Sequence, residues 1–411
     1  MTEQWLHAPV GLNAQRWVTR GGCRTVLVIV HSVACAQRLM DPVGLLGDDT
    51  RIQVVYTIAP SIFCRGVAER LRAMDCVVIP WGQAEQTPFD LVIAASYWGI
   101  ERVHGPLVLL PHGAGYGKFM TPTLTGAAPA PRSTFGLDRQ RLVHDGRVIP
   151  SVLVLAHEEE RRRLAATCPE ALSQAVVVGD PVADRLREGL SHRGEARRGL
   201  GVDEDQRLVV VASTWGRQAL LGARLDVLSR VSQEALESGW RVALLTHPNV
   251  YATHGGWQVR SWLAHLRELG LLVVPTDVDF TAVLAAADAV VSDHGSTTLY
   301  ATLLDRPIMV CPDGGIDVDP GSPIGAVLAQ APHIGESGPV LSQVESLLDT
   351  WTASTWEPVA ARISSHPGEF AARMRHTLYE QLFLREPPWE ARLPRDPFSL
   401  TDQGRGGERR D

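Results

Sequence analysis

Short apolar runs rich in valine, isoleucine and leucine recur along this chain, with longer stretches of helical periodicity between them. In the first half the runs are TVLVIV (25–30), IQVVYTI (52–58), CVVIP (76–80), DLVIAAS (90–96), LVLLP (107–111), VLVLA (152–156) and AVVVG (175–179). After a polar stretch the pattern restarts with LVVVAS (208–213), RVALLTH (241–247), LLVVP (271–275), AVVSD (289–293) and PIMVC (307–311). Runs without polar alternation belong to strands covered on both faces, and strands alternating with helices form parallel sheets with crossover helices. The pattern predicts an α/β chain of two doubly wound parallel-sheet (Rossmann-like) domains facing across a cleft, with C-terminal helices. The expected division is a domain over 1–190, a linker over 191–206, a second domain over 207–335, helices over 336–392 and a disordered tail over 393–411.

A formal net charge of −7 argues against a nucleic-acid binder and against stable docking on an anionic membrane. The arginine-rich stretches EEERRRL and RGEARRGL mix both signs and read as solvated helix faces. The six cysteines form no CxxC pair and no zinc spacing, so they read as small buried hydrophobes. The N-terminus lacks the basic-then-apolar pattern of a signal peptide, and the expectation is a cytoplasmic protein.

Ligands of doubly wound sheets bind beyond the carboxyl ends of the strands, and three polar clusters fall there. The first is Pro111-His112-Gly113-Ala114-Gly115-Tyr116-Gly117-Lys118, where glycines allow close backbone approach and His112 can accept a proton near neutral pH. Lys118 is the only lysine among 39 lysine and arginine residues. The second is Thr246-His247-Pro248-Asn249, where the proline stops the strand and holds His247 extended. The third, Ser292-Asp293-His294-Gly295-Ser296-Thr297-Thr298, leads into a helix whose first N–H groups suit an anion, with capping by Ser296 as the simpler reading. His31, Ser32, Ser61, Ser96, Tyr97 and Trp98 follow other strands and are candidate acceptor contacts.

These motifs, in this order, with VVVGDPVADRL and VASTWG between them, resemble the CDP-glycerol glycerophosphotransferase family of teichoic-acid polymerases and primases. That family lies in the GT-B glycosyltransferase superfamily, and the likeness spans about residues 105–312. Its His-Gly-to-lysine, Gly-x-Pro-x-x-Asp, His-Pro and Ser-Asp-x-Ser-Ser patterns fall on His112, Gly113 and Lys118; Gly179, Pro181 and Asp184; His247 and Pro248; and Ser292, Asp293, Ser296 and Thr297. Here the spacing to lysine is longer by about a residue, and His294-Gly295 stands where the family has one residue.

The resemblance implies a transferase moving a glycerol-phosphate or glycosyl group from a nucleotide-diphosphate-activated donor to a hydroxyl acceptor. The N-terminal domain would take the acceptor and the second domain the donor. His112 would be the general base that deprotonates the acceptor hydroxyl, and His247, the second catalytic residue, would hold the donor's diphosphate and stabilise the departing charge. Asp293, Gly295, Ser296, Thr297 and Thr298 would bind that diphosphate, and Gly113, Lys118, Ser213 and Thr214 would contact a phosphate or the acceptor. The donor would be CDP-glycerol or a UDP-, dTDP- or GDP-sugar, with no further cofactor. No metal is expected, because DVDF (277–280) and DVDP (317–320) match a DxD motif only by letters. The acidic total favours a soluble or lightly lipid-anchored acceptor. Two alternatives stay open: a sugar-nucleotide 2-epimerase-like enzyme, and a nucleotide-binding protein without catalysis.

Overall fold

The computed structural model describes residues 5–11, 14–119, 133–311 and 317–394. Each apolar run forms a strand: β1 (Arg24–Val30), β2 (Ile52–Ile58), β3 (Val78–Ile79), β4 (Leu91–Ala94) and β5 (Leu107–Leu109). A hairpin of β6 (Val143–His144) and β7 (Arg147–Val148) follows, then β8 (Val152–Leu155) and β9 (Ala175–Val177). The second half supplies β10 (Leu208–Ser213), β11 (Arg241–Thr246), β12 (Leu272–Val273), β13 (Ala289–Ser292) and β14 (Ile308–Val310). The hairpin was not foreseen, although its Asp145-Gly146 turn, with φ of 48° and 76°, is a standard two-residue hairpin signal.

The first sheet has the order β3-β2-β1-β4-β5-β8-β9 and the second β12-β11-β10-β13-β14, every neighbouring pair being parallel. Both reverse direction of winding between their first and fourth strands, β1 and β4 in one, β10 and β13 in the other. The same acidic device joins those strands in each sheet. Asp90, just before β4, accepts from the backbone N–H of Thr25 at 2.7 Å, and Asp288, just before β13, accepts from that of Leu208 at 2.8 Å. The strands β1, β4, β10 and β13 are almost wholly buried, as their unbroken apolar character requires.

The chain divides into two units. One takes the described parts of Met1–Tyr116, Pro122–Pro181 and Ser365–Pro394, and the other Gly117–Thr121 and Val182–Ser364. The expected linker at 191–206 is instead part of the second unit. It carries the helix Arg193–Gly199, whose buried Arg197 donates to Asp288 at 3.0 Å and to the Ala286 carbonyl at 3.1 Å. Polar composition therefore marked one helix with a buried charge, and the crossover lies earlier, at Pro181–Val182. The helices expected together over 336–392 are also parted. Val340–Asp349 packs in the second unit, while Phe370–Gln381 returns to the first, burying Phe370, Met374 and Leu378 completely. Residues 395–411, most of the expected tail, lie outside the described residues. Among the described residues no helix is long and apolar enough to cross a membrane.

Tyr379 of that returning helix donates to Asp49 at 2.9 Å, and Arg51 binds the same carboxylate, holding its pKa far below the usual carboxylate range. Phe370→Ala is expected to cost about 3–5 kcal/mol, the usual loss for a buried aromatic truncated in a packed core. Urea unfolding followed by a probe in the first unit would read the loss as a lower midpoint.

Candidate functional site

In the second unit the strand register brings two of the predicted clusters together with Ser213 and Thr214. Ser213 pairs with Thr246 in the β10–β11 ladder, and the His247 N–H donates to the Ser213 carbonyl at 3.0 Å. On the other side of β10, β13 ends at Ser292 and delivers Asp293. Ser213, Thr214, His247 and residues 293–298 thus share the carboxyl edge of adjacent strands, where the winding reverses.

Asp293 is the hub of this edge. The residue is 2% exposed; Oδ2 accepts from the N–H of Thr214 and of Leu220, each at 2.9 Å, and Oδ1 from the N–H of Gly295 at 3.0 Å. Burial raises its pKa, opposed by those backbone donors and by His294. With both oxygens engaged by the protein itself, Asp293 acts on the loops rather than reaching outward. Ser213 is likewise turned inward, its hydroxyl accepting from the Leu221 N–H at 3.0 Å. Thr298 is buried too, 2.7 Å from the Ser292 hydroxyl and 2.5 Å from the Asp293 carbonyl that it donates to. Gly295 leaves room for Thr214, whose Cβ would stand 3.0 Å from any Cβ added there.

The outward-facing members are fewer. The helix Ser296–Ala301 begins with Gly295 as its cap residue, so Ser296 does not cap it; Ser296 is exposed and Thr297 half-buried. His247 caps the helix Pro248–His254, its Nδ1 accepting from the Asn249 N–H at 3.1 Å. A neutral imidazole with Nδ1 as acceptor carries its proton on Nε2.

The first cluster is divided between the units. His112 and Gly113 belong to the first, after β5, with His112 exposed. Gly117 onward belongs to the second, where Lys118 bridges to Val318 and the Phe119 N–H donates to the Asp317 carbonyl at 2.8 Å. Lys118 is exposed. Several acceptor candidates are engaged locally. His31 is buried and Nε2 donates to the Trp98 carbonyl at 2.7 Å, and burial lowers its pKa. Ser32 caps the helix Val33–Gly44, Ser61 accepts from the Phe63 N–H, and Tyr97 donates to the Gly136 carbonyl at 3.1 Å. Trp98 is 67% exposed.

Sequence reading missed the polar groups beneath the His112 loop. Glu160, in a stretch expected to be a solvated face, is buried; its Oε2 accepts from the Ala156 N–H at 2.7 Å, and a Cβ added at Gly115 would stand 3.4 Å from its Oε1. Burial pushes its pKa up to about 7, opposed by the N–H groups of Ala156 and His157, with Asp180 raising it further and Arg163 lowering it. The signal was present only as a capping box, His157 to Glu160, which ties the glutamate back to its own helix start. Three of the six cysteines, Cys35, Cys168 and Cys311, are buried as expected, and Cys23, Cys64 and Cys76 are half-buried.

No family model matches the chain, and no curated protein matches it in sequence. Solved structures do. A wall teichoic acid polymerase, TagF, superposes with a TM-score of 0.55 at 11% identity over 88% of this chain and 89% of that one. The S. aureus MnaA–UDP complex gives 0.53 at 11% over 88% and 96%. A UDP-GlcNAc 2-epimerase from Neisseria meningitidis, bound to UDP-GlcNAc, gives 0.50 at 13% over 87% and 99%. The two parallel sheets with flanking helices are those of the GT-B fold.

The raised pKa of Glu160 gives a pH dependence of stability. The folded chain holds a proton there that the unfolded chain releases near pH 4.5, so stability is full below that pH and falls as pH rises through about 7. Glu160→Gln is neutral throughout. Chemical denaturation between pH 4.5 and 8 is expected to show the parent losing on the order of 3 kcal/mol that the variant keeps.

Proposed function

We propose that the chain is a GT-B transferase that moves a glycerol-phosphate or glycosyl group from a nucleotide-activated donor to a hydroxyl acceptor. The observation that carries this is the edge formed by β10, β11 and β13. There His247 after β11 and the start of the helix Ser296–Ala301 after β13 flank β10, with Asp293 pinning the turn after β13 to the end of β10. Donors fixed by the fold need no reorganisation when negative charge develops on a leaving phosphate. The likeness to a teichoic acid polymerase and to a UDP-bound protein supports the same reading.

In this reading His247, Ser296 and Thr297 bind the donor's diphosphate, while Asp293, Gly295 and Thr298 hold the shape of that site and Thr214 borders it. His112 takes the proton of the acceptor hydroxyl, whose oxygen then attacks. Attack at the phosphorus bearing glycerol releases a nucleoside monophosphate; attack at an anomeric carbon releases a nucleoside diphosphate. His112 leaves as the imidazolium, to be deprotonated by solvent. Gly113 permits close approach to the acceptor, and Lys118 supplies a point charge to a phosphate. The acceptor is soluble or lightly lipid-anchored, and no metal ion enters the chemistry. The fold likeness to an epimerase that binds UDP-GlcNAc supports a second reading, reversible elimination and re-addition of UDP, which chromatography of UDP-GlcNAc incubated with the chain would reveal as a second sugar nucleotide.

A thermal-shift panel of CDP, UDP, GDP, dTDP and ADP, each with and without magnesium, is the first test. A ligand at a hundred times its Kd adds about 2.7 kcal/mol, so one nucleotide is expected to raise the Tm equally with and without magnesium. No rise with any of them would sink the donor site. His247→Ala is expected to weaken that nucleotide's binding at least tenfold. His112→Ala is expected to leave binding within twofold and to abolish transfer, and a fully active His112→Ala would remove His112 as the base.

A further inference from the structure

The carbonyl immediately before His112 is held by a buried guanidinium. Arg38, on the helix Val33–Gly44 that follows β1, donates through Nε to the Pro111 carbonyl at 3.1 Å and through Nη2 to Asp180 at 3.0 Å. The side chains of this pair are 4% and 0% exposed. Asp180 follows β9 and Pro111 follows β5, so one side chain ties together segments after three strands of the sheet. The far end of the same loop is held as well, by Arg163, whose Nη1 donates to the Tyr116 carbonyl at 2.7 Å.

Holding helix to sheet does not require a charge here. A buried ion pair is often no more stable than apolar residues of the same volume. What the guanidinium adds is direction, because its planar fork points one N–H at the counter-ion and another at the carbonyl. Proline fixes its own φ near −65°, so anchoring the Pro111 carbonyl fixes the remaining backbone torsion of that residue. The path of the chain into His112 is then determined.

We propose that Arg38 is a positioning residue for His112: oriented by Asp180, it sets where the imidazole stands by holding the Pro111 carbonyl. This rests on the reading of His112 as the base, yet it is testable apart from it. Neither Arg38 nor Asp180 was singled out by sequence, since nothing local links residues 142 positions apart.

The test reads the imidazole directly, by NMR of the histidine Cε1–H resonances in the full chain, with His112 identified by the line lost in His112→Asn. Arg38→Lys keeps the charge beside Asp180 but lacks the fork. The double variant Arg38→Met with Asp180→Leu strands no buried charge and stands in if the lysine variant fails to fold. In each folded variant the His112 line is expected to shift by more than its width, with a displaced titration midpoint, while the His247 line stays in place. A His112 line that superposes on the parent's at every pH in a folded variant overturns the proposal. A displaced line in a chain whose His112→Ala variant still transfers would leave the positioning intact and remove only the base assignment.

Discussion

Asp293 takes a carboxylate out of water and surrounds it with backbone N–H groups from three places in the chain. Those donors lie at the end of β10, at the start of the helix Leu220–Ala223 and in the turn after β13. A buried carboxylate costs several kcal/mol of desolvation, and only such a set of donors compensates it. The consequence is geometric. The three segments have one arrangement in which all donors are satisfied, and that arrangement places Thr214, Gly295 and the outward-facing Ser296 and Thr297 side by side. Removing the carboxylate would leave these N–H groups buried without an acceptor, so the shape of the edge and the stability of the unit are linked.

Charge is used in the same way elsewhere. Arg38 with Asp180 in the first unit is a buried pair, and in the second the buried Arg197 meets a half-buried Asp288; both guanidinia also bind backbone carbonyls. Each spans from a helix to residues flanking a strand. Apolar packing is indifferent to small rotations, whereas a guanidinium sharing a carboxylate and a carbonyl is not. The sheets supply burial and these pairs supply direction, which is what a site built on loops needs. Glu160 differs, having no guanidinium within its own hydrogen bonds, and its pKa near 7 makes the ground beneath the His112 loop sensitive to pH.

All twelve apolar runs marked in the sequence became strands, because a strand covered on both faces has no alternative to an unbroken apolar run. The polar clusters after β5, β11 and β13 were legible for a related reason: strand ends in a doubly wound sheet are where polar residues gather. The roles within the clusters were less legible. Ser296 and Thr298 look equivalent in sequence, yet one is exposed and the other buried, a distinction made by the rotation of a six-residue helix. The domain boundary at 191–206 was misplaced because a helix with one buried arginine has the composition of a linker.

What the sequence determined alone was local and periodic: the strands, the helices between them, the two repeats of one winding pattern and the residues that punctuate strand ends. Those depend on burial and backbone preference within a short window. The tertiary structure decided what depends on distant partners. It returned residues 365–394 to the first unit, parted His112 from Lys118 between the two units, and turned Asp293 inward onto Leu220. It also joined Arg38 to Asp180 across 142 positions. A side chain's role in a site is set by which groups satisfy it, and those groups are brought near only when the sheet closes.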